Sequence, residues 1–255
     1  MKKNKNWTQK EHILAFNLYC KIPFTKINAN YAPVKNLAKI IGRSNGSVAM
    51  KLANFARLDP ELQSRNISGL SRGAKGEEEV WKEFNGNWEE LSWQSEQILA
   101  QYKGESIEES TGISTENISA EGKERDALVK VRVNQSFFRK AILASYNHSC
   151  CITGISIPEL LVASHIIPWS TDHKNRVNPS NGLCLNLLHD KAFDKGLITI
   201  TPDYKIKLSG IFHEKKFKDD NNFFLPFGGN RIKLPTKFLP DKAFLIWHNE
   251  NIFIG

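Results

Sequence analysis

The chain has 255 residues, of which 40% are apolar and 24% charged, a composition typical of a folded protein with at most local disorder. It lacks both the roughly 18 uncharged residues of a membrane span and the apolar stretch of a secretory signal, so we expect a cytoplasmic protein with no membrane partner. Four cysteines are too few for a disulfide framework and predict reduced thiols, whereas a net charge of +8 admits nucleic acid as a partner.

The charge is distributed in three blocks along the chain. Residues 1–75 carry 14 Lys and Arg against 3 Asp and Glu, residues 76–127 carry 4 against 14, and residues 128–255 carry 17 against 10. Each Lys or Arg near a phosphate releases condensed counterions and adds affinity. The two basic blocks therefore predict two domains that face a polyanion.

The acidic block divides into two parts. Residues 76–102 place apolar side chains at near-helical spacing and are expected to pack on the first domain. Residues 103–127 are acidic, rich in Ser and Gly, and without apolar period, which predicts a linker. We therefore expect a basic helical domain over 1–102, an acidic linker over 103–127 and a second domain over 128–255.

The first domain contains a predicted helix, tight turn and second helix. Residues 12–22 and 34–42 have apolar side chains at helical spacing, Gly42 interrupts the pattern, and Ser44 can cap a further helix over 47–55. Such a unit presents its second helix to the major groove of DNA. The candidate contacts to phosphates or base edges are Arg43, Ser44, Asn45, Ser47, Lys51 and Asn54, with an arm from Lys2, Lys3 and Lys5.

This region is similar to a known DNA-binding fold over about fifty residues. The pair Trp7 and Thr8, followed by a helix and the segment LAKIIGRSNGSVAMKLANF at 37–55, resembles Myb/SANT-like helix-turn-helix domains. A helical hairpin that never touches DNA is the alternative. The excess of basic residues favours the DNA-binding interpretation.

The second domain predicts two short strands followed by a helix. Residues 160–169 form an apolar run with a single histidine, residues 178–183 predict a turn, and the CLNL stretch after them predicts a second strand. A helix is predicted over 188–196, ending at Gly196. Paired strands over 197–209, expected to extend the same sheet, and a last helix beginning near Asp241 make this half an α+β domain.

The strand, loop, strand and helix layout, together with His165, Asn181 and His189, resembles the HNH (ββα-metal) endonuclease superfamily. The likeness is to its bacterial restriction-endonuclease-like branch, which has ASHI, NPSNGL and HDKAFDKG blocks, and it covers about 128–255. It implies an α+β fold with a C-terminal ββα-metal nuclease domain preceded by a small all-α, helix-turn-helix-like domain. It also implies a metal-dependent endonuclease that hydrolyses phosphodiester bonds of double-stranded DNA.

The resemblance assigns roles to particular residues. His165 would be the general base that activates water, Asn181 would brace the loop between the strands, and His189 is the third motif residue. Metal ligands would come from His189, Asp190 and Asp194, the last two being four residues apart on one helix face. Carboxylate oxygens suit one Mg²⁺ or Mn²⁺ ion, and which of His189 and Asp190 ligates stays open.

The chain departs from the family pattern in two places. Many members have Asp or His just before the base histidine as a metal ligand, and here that residue is Ser164. Many are also held together by zinc between two CxxC pairs, and this chain has no CxxC, so no structural zinc is expected. The cysteines at 150, 151 and 184 are interpreted as small buried hydrophobic residues.

By resemblance, the expected role is restriction or defence against foreign DNA in a bacterium. One alternative is a DNA-binding regulator with an inactive nuclease fold, suggested by Ser164 in the position of a ligand. Another is a nicking endonuclease of a mobile element, which shares the same chemistry. Cutting both strands with one active site per chain would suggest a homodimer.

Overall fold

The computed structural model describes residues 6–64, 73–114, 122–214 and 221–255. The chain divides into two compact units, Met1–Ala144 and Ser145–Gly255. This division falls in the last turn of a long helix and is C-terminal to the expected linker at 103–127. The expected domains over 1–102 and 128–255 stay a prediction. The proposed Lys2, Lys3 and Lys5 arm lies outside the described residues. Among the described helices, none is long and apolar enough to cross a membrane.

The first unit is helical throughout its described parts. Its expected helix, tight turn and second helix are present, because Gly42 takes a left-handed φ of +68° that ends one helix and the Ser44 side chain accepts from the Ser47 amide to begin the next. The helices are α1 Gln9–Lys21, α2 Ala32–Ile41, α3 Asn45–Ala56, α4 Pro60–Ser64, α5 Lys75–Phe84, α6 Trp88–Lys103, α7 Ile107–Thr111 and α8 Gly122–Ser145.

Aromatic rings build the core of the first unit. Phe16 of α1 and Phe55 of α3 are fully buried, with ring centroids 5.0 Å apart, and Tyr19 packs beside them. The acidic segment 76–102 forms two helices, α5 and α6, which are separated at Gly86, where φ is +97°. Both helices pack against α1, so the acidic segment belongs to this unit as expected.

The second unit has the predicted order of two strands and a helix. Strands β1 Leu161–His165 and β2 Gly182–Asn186 are antiparallel, with His165 opposite Gly182 at one end of the ribbon. Helix α9 Leu187–Asp194 begins at the next residue and packs across both strands. Asn186 caps this helix, since its Oδ1 accepts from the His189 amide at 3.0 Å. The ββα unit is therefore present.

One expectation for the second unit was wrong. Strands β3 Ile198–Ile200 and β4 Ile206–Leu208 pair with each other as a separate two-stranded sheet rather than extending the β1–β2 ribbon. The strand β3 packs against α9 and against α10 Lys242–Asn251, and the outer edge of β4 is occupied by residues 229–232, whose backbone is hydrogen-bonded to Tyr204 and Ile206. The final helix is confirmed, with Asp241 as its cap.

Candidate functional site

His165 ends β1 and is oriented by the loop that follows it. Its Nε2 lies 2.8 Å from the backbone oxygen of Arg176. Because a carbonyl oxygen can only accept, Nε2 carries the proton and the neutral ring keeps a lone pair on Nδ1. Burial lowers the pKa of this imidazole, while the bond to the Arg176 carbonyl raises it. The partly exposed ring is therefore a proton acceptor near neutral pH.

Asn181 closes the loop between β1 and β2. This residue is fully buried, and its side-chain Oδ1 accepts from the Ile167 amide at 2.8 Å. Its Nδ2 donates to the Ile167 carbonyl at 3.1 Å and to the Asn175 carbonyl at 3.3 Å. The side chain thus ties both ends of the loop together, beside the histidine that the loop orients.

Two neighbours of His165 were not identified from the sequence. The Trp169 ring stands edge-on to the His165 imidazole, with centroids 5.6 Å apart and planes at 86°. The Arg176 guanidinium carbon lies 5.1 Å from the centroid of the Trp169 ring. A tryptophan four residues after the histidine was a usable signal, but nothing in the sequence marks a backbone carbonyl as the partner of His165.

The carboxylates of α9 lie close to the residue before the base histidine. Ser164 is 2% exposed, and its hydroxyl is near enough to Asp190 to lower that carboxyl's pKa, although it makes no hydrogen bond of ordinary geometry with a described residue. Burial and the nearby Asp194 charge raise the pKa of Asp190 more strongly than Ser164 lowers it. Burial also raises the pKa of Asp194. Ser164, the residue before His165 in β1, is thus close to Asp190, and Asp194 is near enough to Asp190 to raise its pKa.

His189 lies on a different side of α9 from Asp190. The ring is 3% exposed, with Nδ1 bonded to the Asn186 Oδ1 at 3.1 Å. It packs between Phe224 and Phe227 at centroid distances of 5.2 and 5.5 Å. Successive helix residues are rotated by about 100°, so His189 faces the aromatic side of α9 while Asp190 faces Ser164.

Asn186 connects this aromatic side to the segment before β1. Its Nδ2 donates to the Thr153 hydroxyl at 3.1 Å and lies 3.8 Å from the Cys150 sulfur. The four cysteines are buried thiols that form no disulfide, as expected for small apolar residues. A hydrogen-bonded cluster of Cys150, Thr153, Asn186 and His189 therefore holds the start of α9 to the preceding chain.

The expected DNA-contacting face of α3 is partly internal. Lys51 and Asn54 are 6% and 7% exposed, and both donate to the fully buried Glu77 carboxylate of α5. Arg43 forms hydrogen bonds to both oxygens of Glu11. The remaining candidates lie at the start of the helix, where Ser44 is exposed and Asn45 and Ser47 are partly exposed. Lys51 and Asn54 consequently stabilise the unit and are not presented to a ligand.

Exposed cations of the same region lie on and before α2. Lys26, Lys35 and Lys39 are exposed and form no ion pair with any described residue. By contrast, the cations of α3 and its flanks are neutralised by acidic partners. The uncompensated positive charge of this part of the chain is therefore at α2.

Comparison with protein families identifies the segment that carries the site. Residues 150–201 match the family described as HNH endonuclease. The matched segment contains β1, the loop that orients His165, β2, α9 and β3. A comparison with curated proteins found no match. The chain therefore carries an HNH endonuclease domain, which supports nuclease activity.

Proposed function

We propose, from the HNH endonuclease domain at 150–201, that this chain is a divalent-metal-dependent endonuclease that hydrolyses phosphodiester bonds of double-stranded DNA. The observation that carries the proposal is the bond between the Nε2 of His165 and the Arg176 carbonyl, because it leaves Nδ1 as the proton acceptor. An imidazole held in one tautomer can act as the base in metal-assisted hydrolysis of a phosphodiester, and the carboxylates of α9 can supply oxygen ligands.

In the proposed reaction, Nδ1 of His165 removes a proton from a water molecule as the water oxygen attacks phosphorus. The bond between phosphorus and the leaving sugar oxygen then breaks, and that oxygen takes up a proton from solvent. Asn181 contributes by holding Ile167 and Asn175, which fixes the loop that orients His165. The base is neutral at pH 7 because burial lowers its pKa.

Ser164 and the carboxylates of α9 fit a hard divalent cation. The Asp194 charge raises the pKa of Asp190, and the buried hydroxyl of Ser164 has no ordinary hydrogen bond among the described residues. Carboxylate oxygens suit Mg²⁺ or Mn²⁺, ions that are bound through one or two carboxylates and water. Asp190, Asp194 and Ser164 would hold the ion.

When bound, the ion would stabilise negative charge on the phosphate and on the leaving oxygen. His189 is not proposed as a ligand because its ring is 3% exposed and packed by Phe224 and Phe227. Of the two residues between which the sequence left the ligand role open, we propose Asp190.

The first unit is proposed to bind DNA near the exposed lysines of α2 and the exposed start of α3. The support is electrostatic, since uncompensated cations attract phosphates whereas the paired cations Arg43 and Lys51 do not add net charge. Restriction or defence in a bacterial cytoplasm, with a homodimer for double-strand cutting, is the role we propose for the whole chain.

An inactive DNA-binding regulator is the second candidate. It is favoured by Ser164, a weak ligand in the position where many family members have Asp or His. Its expected behaviour is salt-sensitive DNA binding without cleavage in any divalent metal.

The deciding experiment incubates supercoiled plasmid with the full chain in Mg²⁺, Mn²⁺ or EDTA. We expect nicked or linear product in metal only, and a loss of about 10²- to 10⁴-fold in rate for His165→Ala. His213→Ala, at an exposed histidine of the same unit, is the matched control and should cleave as the wild type does. Intact plasmid with wild type in every metal, on several DNA sequences, would reject the proposal. Nicking alone would indicate cleavage of one strand.

A further inference from the structure

The loop between β1 and β2 carries a cation beside the base histidine that no role above uses. We infer that Arg176 is a substrate-contacting residue that binds a DNA phosphate flanking the scissile one, and that Trp169 positions it. This inference rests on the proposed nuclease function and deepens it. It names the group that would place the DNA strand against His165.

The side chains of His165, Trp169 and Arg176 lie in a row, with Trp169 in the middle. The imidazole of His165 meets the edge of the Trp169 indole at a centroid distance of 5.6 Å, and the indole carries the Arg176 guanidinium at 5.1 Å. The backbone of Arg176 is fixed as well, because its carbonyl oxygen accepts from His165 at 2.8 Å. The backbone of Arg176 is therefore positioned by His165 directly, and its side chain is positioned through Trp169.

The position of the guanidinium suits phosphate binding. Its carbon lies over the Trp169 ring, and Nη1 lies 3.5 Å from the Nδ1 of His173. Because a guanidinium has five N–H donors, it can also donate to a phosphate. Arg176 and Trp169 are both partly exposed, so DNA can reach them. The indole also limits the rotamers of the long side chain, which reduces the entropy lost when a phosphate binds.

The same loop contains one carboxylate and a second cation. The carboxylate is Asp172. One of its oxygens accepts from the amides of Lys174 and Asn175, and the other accepts from the Asn175 side chain at 2.7 Å. Lys174 is exposed on the same turn, so it is a second cation of this loop that a phosphate can reach.

The opposing possibility is that the stack merely shapes the loop so that the Arg176 carbonyl meets His165. Arg176→Ala removes both the guanidinium and its contact with Trp169, so the variant is combined with a change in the DNA phosphate, which only a direct contact couples to Arg176. Trp169→Phe retains an aromatic face and should restore most of the activity that Trp169→Ala loses. Arg231→Ala is the matched control, since its guanidinium also lies over an aromatic ring in this unit, 5.7 Å from the Tyr204 centroid.

The test uses full-length chains on a duplex whose cleavage position has been mapped by sequencing the ends. We expect Arg176→Ala to lower kcat/KM by about 10- to 100-fold, as for loss of a hydrogen bond to a charged group, with unchanged thermal unfolding. We expect an uncharged methylphosphonate in place of one flanking phosphate to slow the wild type to a similar extent and to have little further effect on Arg176→Ala.

Wild-type rates for Arg176→Ala, or equal methylphosphonate effects in wild type and variant at every flanking position, would overturn the inference while leaving the nuclease assignment intact. An inactive wild type would instead reject the proposed function. Wild-type rates for Trp169→Ala would remove the positioning role from Trp169.

Discussion

Asn181 is hydrogen-bonded to both backbone groups of Ile167, at 2.8 Å to the amide and 3.1 Å to the carbonyl. Asn181 is the last residue of the loop and Ile167 is one of its first. A single amide side chain therefore closes the loop that orients His165. Only an amide can accept and donate in this way at one position.

We therefore predict that Asn181→Ala and Asn181→Asp both lose activity and stability. Alanine leaves buried backbone groups without partners, at about 1–3 kcal/mol for each, and should reduce kcat at least about tenfold by releasing the His165 loop. Aspartate keeps the acceptor and loses the donor to Ile167. Asn251→Ala, which removes an exposed amide bonded to the Trp247 carbonyl, is the control. Urea unfolding and plasmid cleavage measure the two effects, and a fully active Asn181→Ala would contradict the bracing role.

A second prediction separates Asp190 from His189. Asp190→Ala should raise the Mn²⁺ concentration for half-maximal cleavage at least about tenfold, because an anionic ligand is lost. His189→Gln should leave that concentration unchanged and lower stability, because its ring packs with Phe224 and Phe227. Metal titrations of cleavage rate give both values. The reverse pattern, with the metal requirement following His189, would show that the ligand assignment is wrong.

The buried histidine of α10 predicts a pH dependence of stability. His248 is 1% exposed and stacks on Phe193 at 3.7 Å between centroids, and burial lowers its pKa from 6.5 to about 4, against a smaller opposing effect of the Phe193 carbonyl. The unfolded chain binds a proton below pH 6.5 whereas the folded chain does not. The contribution of the neutral His248 ring to the free energy of unfolding is therefore complete above pH 6.5 and decreases as the pH falls toward 4.

At pH 5 this histidine should cost the folded state about 2 kcal/mol relative to pH 7.5. His248→Gln has no titrating ring, so its free energy of unfolding should fall less over the same interval, by about that amount. Urea unfolding at the two pH values measures the difference, with His213→Gln as an exposed control. Parallel pH profiles for wild type and His248→Gln would be inconsistent with the buried neutral ring.

The ion pair between Lys51 and Glu77 predicts a large loss of stability in the first unit. Glu77 is fully buried and accepts from Lys51, from Asn54 and from the amide of Ala74. Removing one partner of a buried pair leaves the other charge uncompensated, so Glu77→Ala should cost about 3–5 kcal/mol.

The matched control is Glu79→Ala, which breaks a pair with Lys75 whose side chains are 63% and 89% exposed. That change should cost less than about 1 kcal/mol. Equal unfolding free energies for the two variants would show that the buried network contributes little.

The last prediction concerns where the first unit meets DNA. Lys35→Ala combined with Lys39→Ala removes two exposed, unpaired cations of α2. Because each neutralised phosphate contributes about 0.9 to the slope of log K against log salt, that slope should decrease in magnitude by about 2. Fluorescence anisotropy in EDTA measures binding without cleavage. Lys75→Ala with Lys82→Ala changes the net charge equally on α5 and should leave the slope unchanged.

The local elements could be predicted from the sequence. The spacing of apolar residues, the caps Ser44 and Asp241 and the stop at Gly42 indicated helices, because these preferences act within a few residues. His165 and Asn181, the residues proposed as base and brace, were identified by resemblance to the HNH family, and the structure places them at the two ends of the loop between β1 and β2.

The partners of these residues were decided by tertiary structure. Whether Asp190 or His189 faces Ser164 depends on the rotation of α9 over the ribbon, and the carbonyl that orients His165 comes from Arg176, eleven residues along the chain. Lys51 and Asn54 are residue types that commonly contact DNA. They are buried here because both side chains donate to Glu77, which belongs to another helix. Local patterns specify which element a residue joins, whereas charge pairing and burial depend on groups that are distant in the chain.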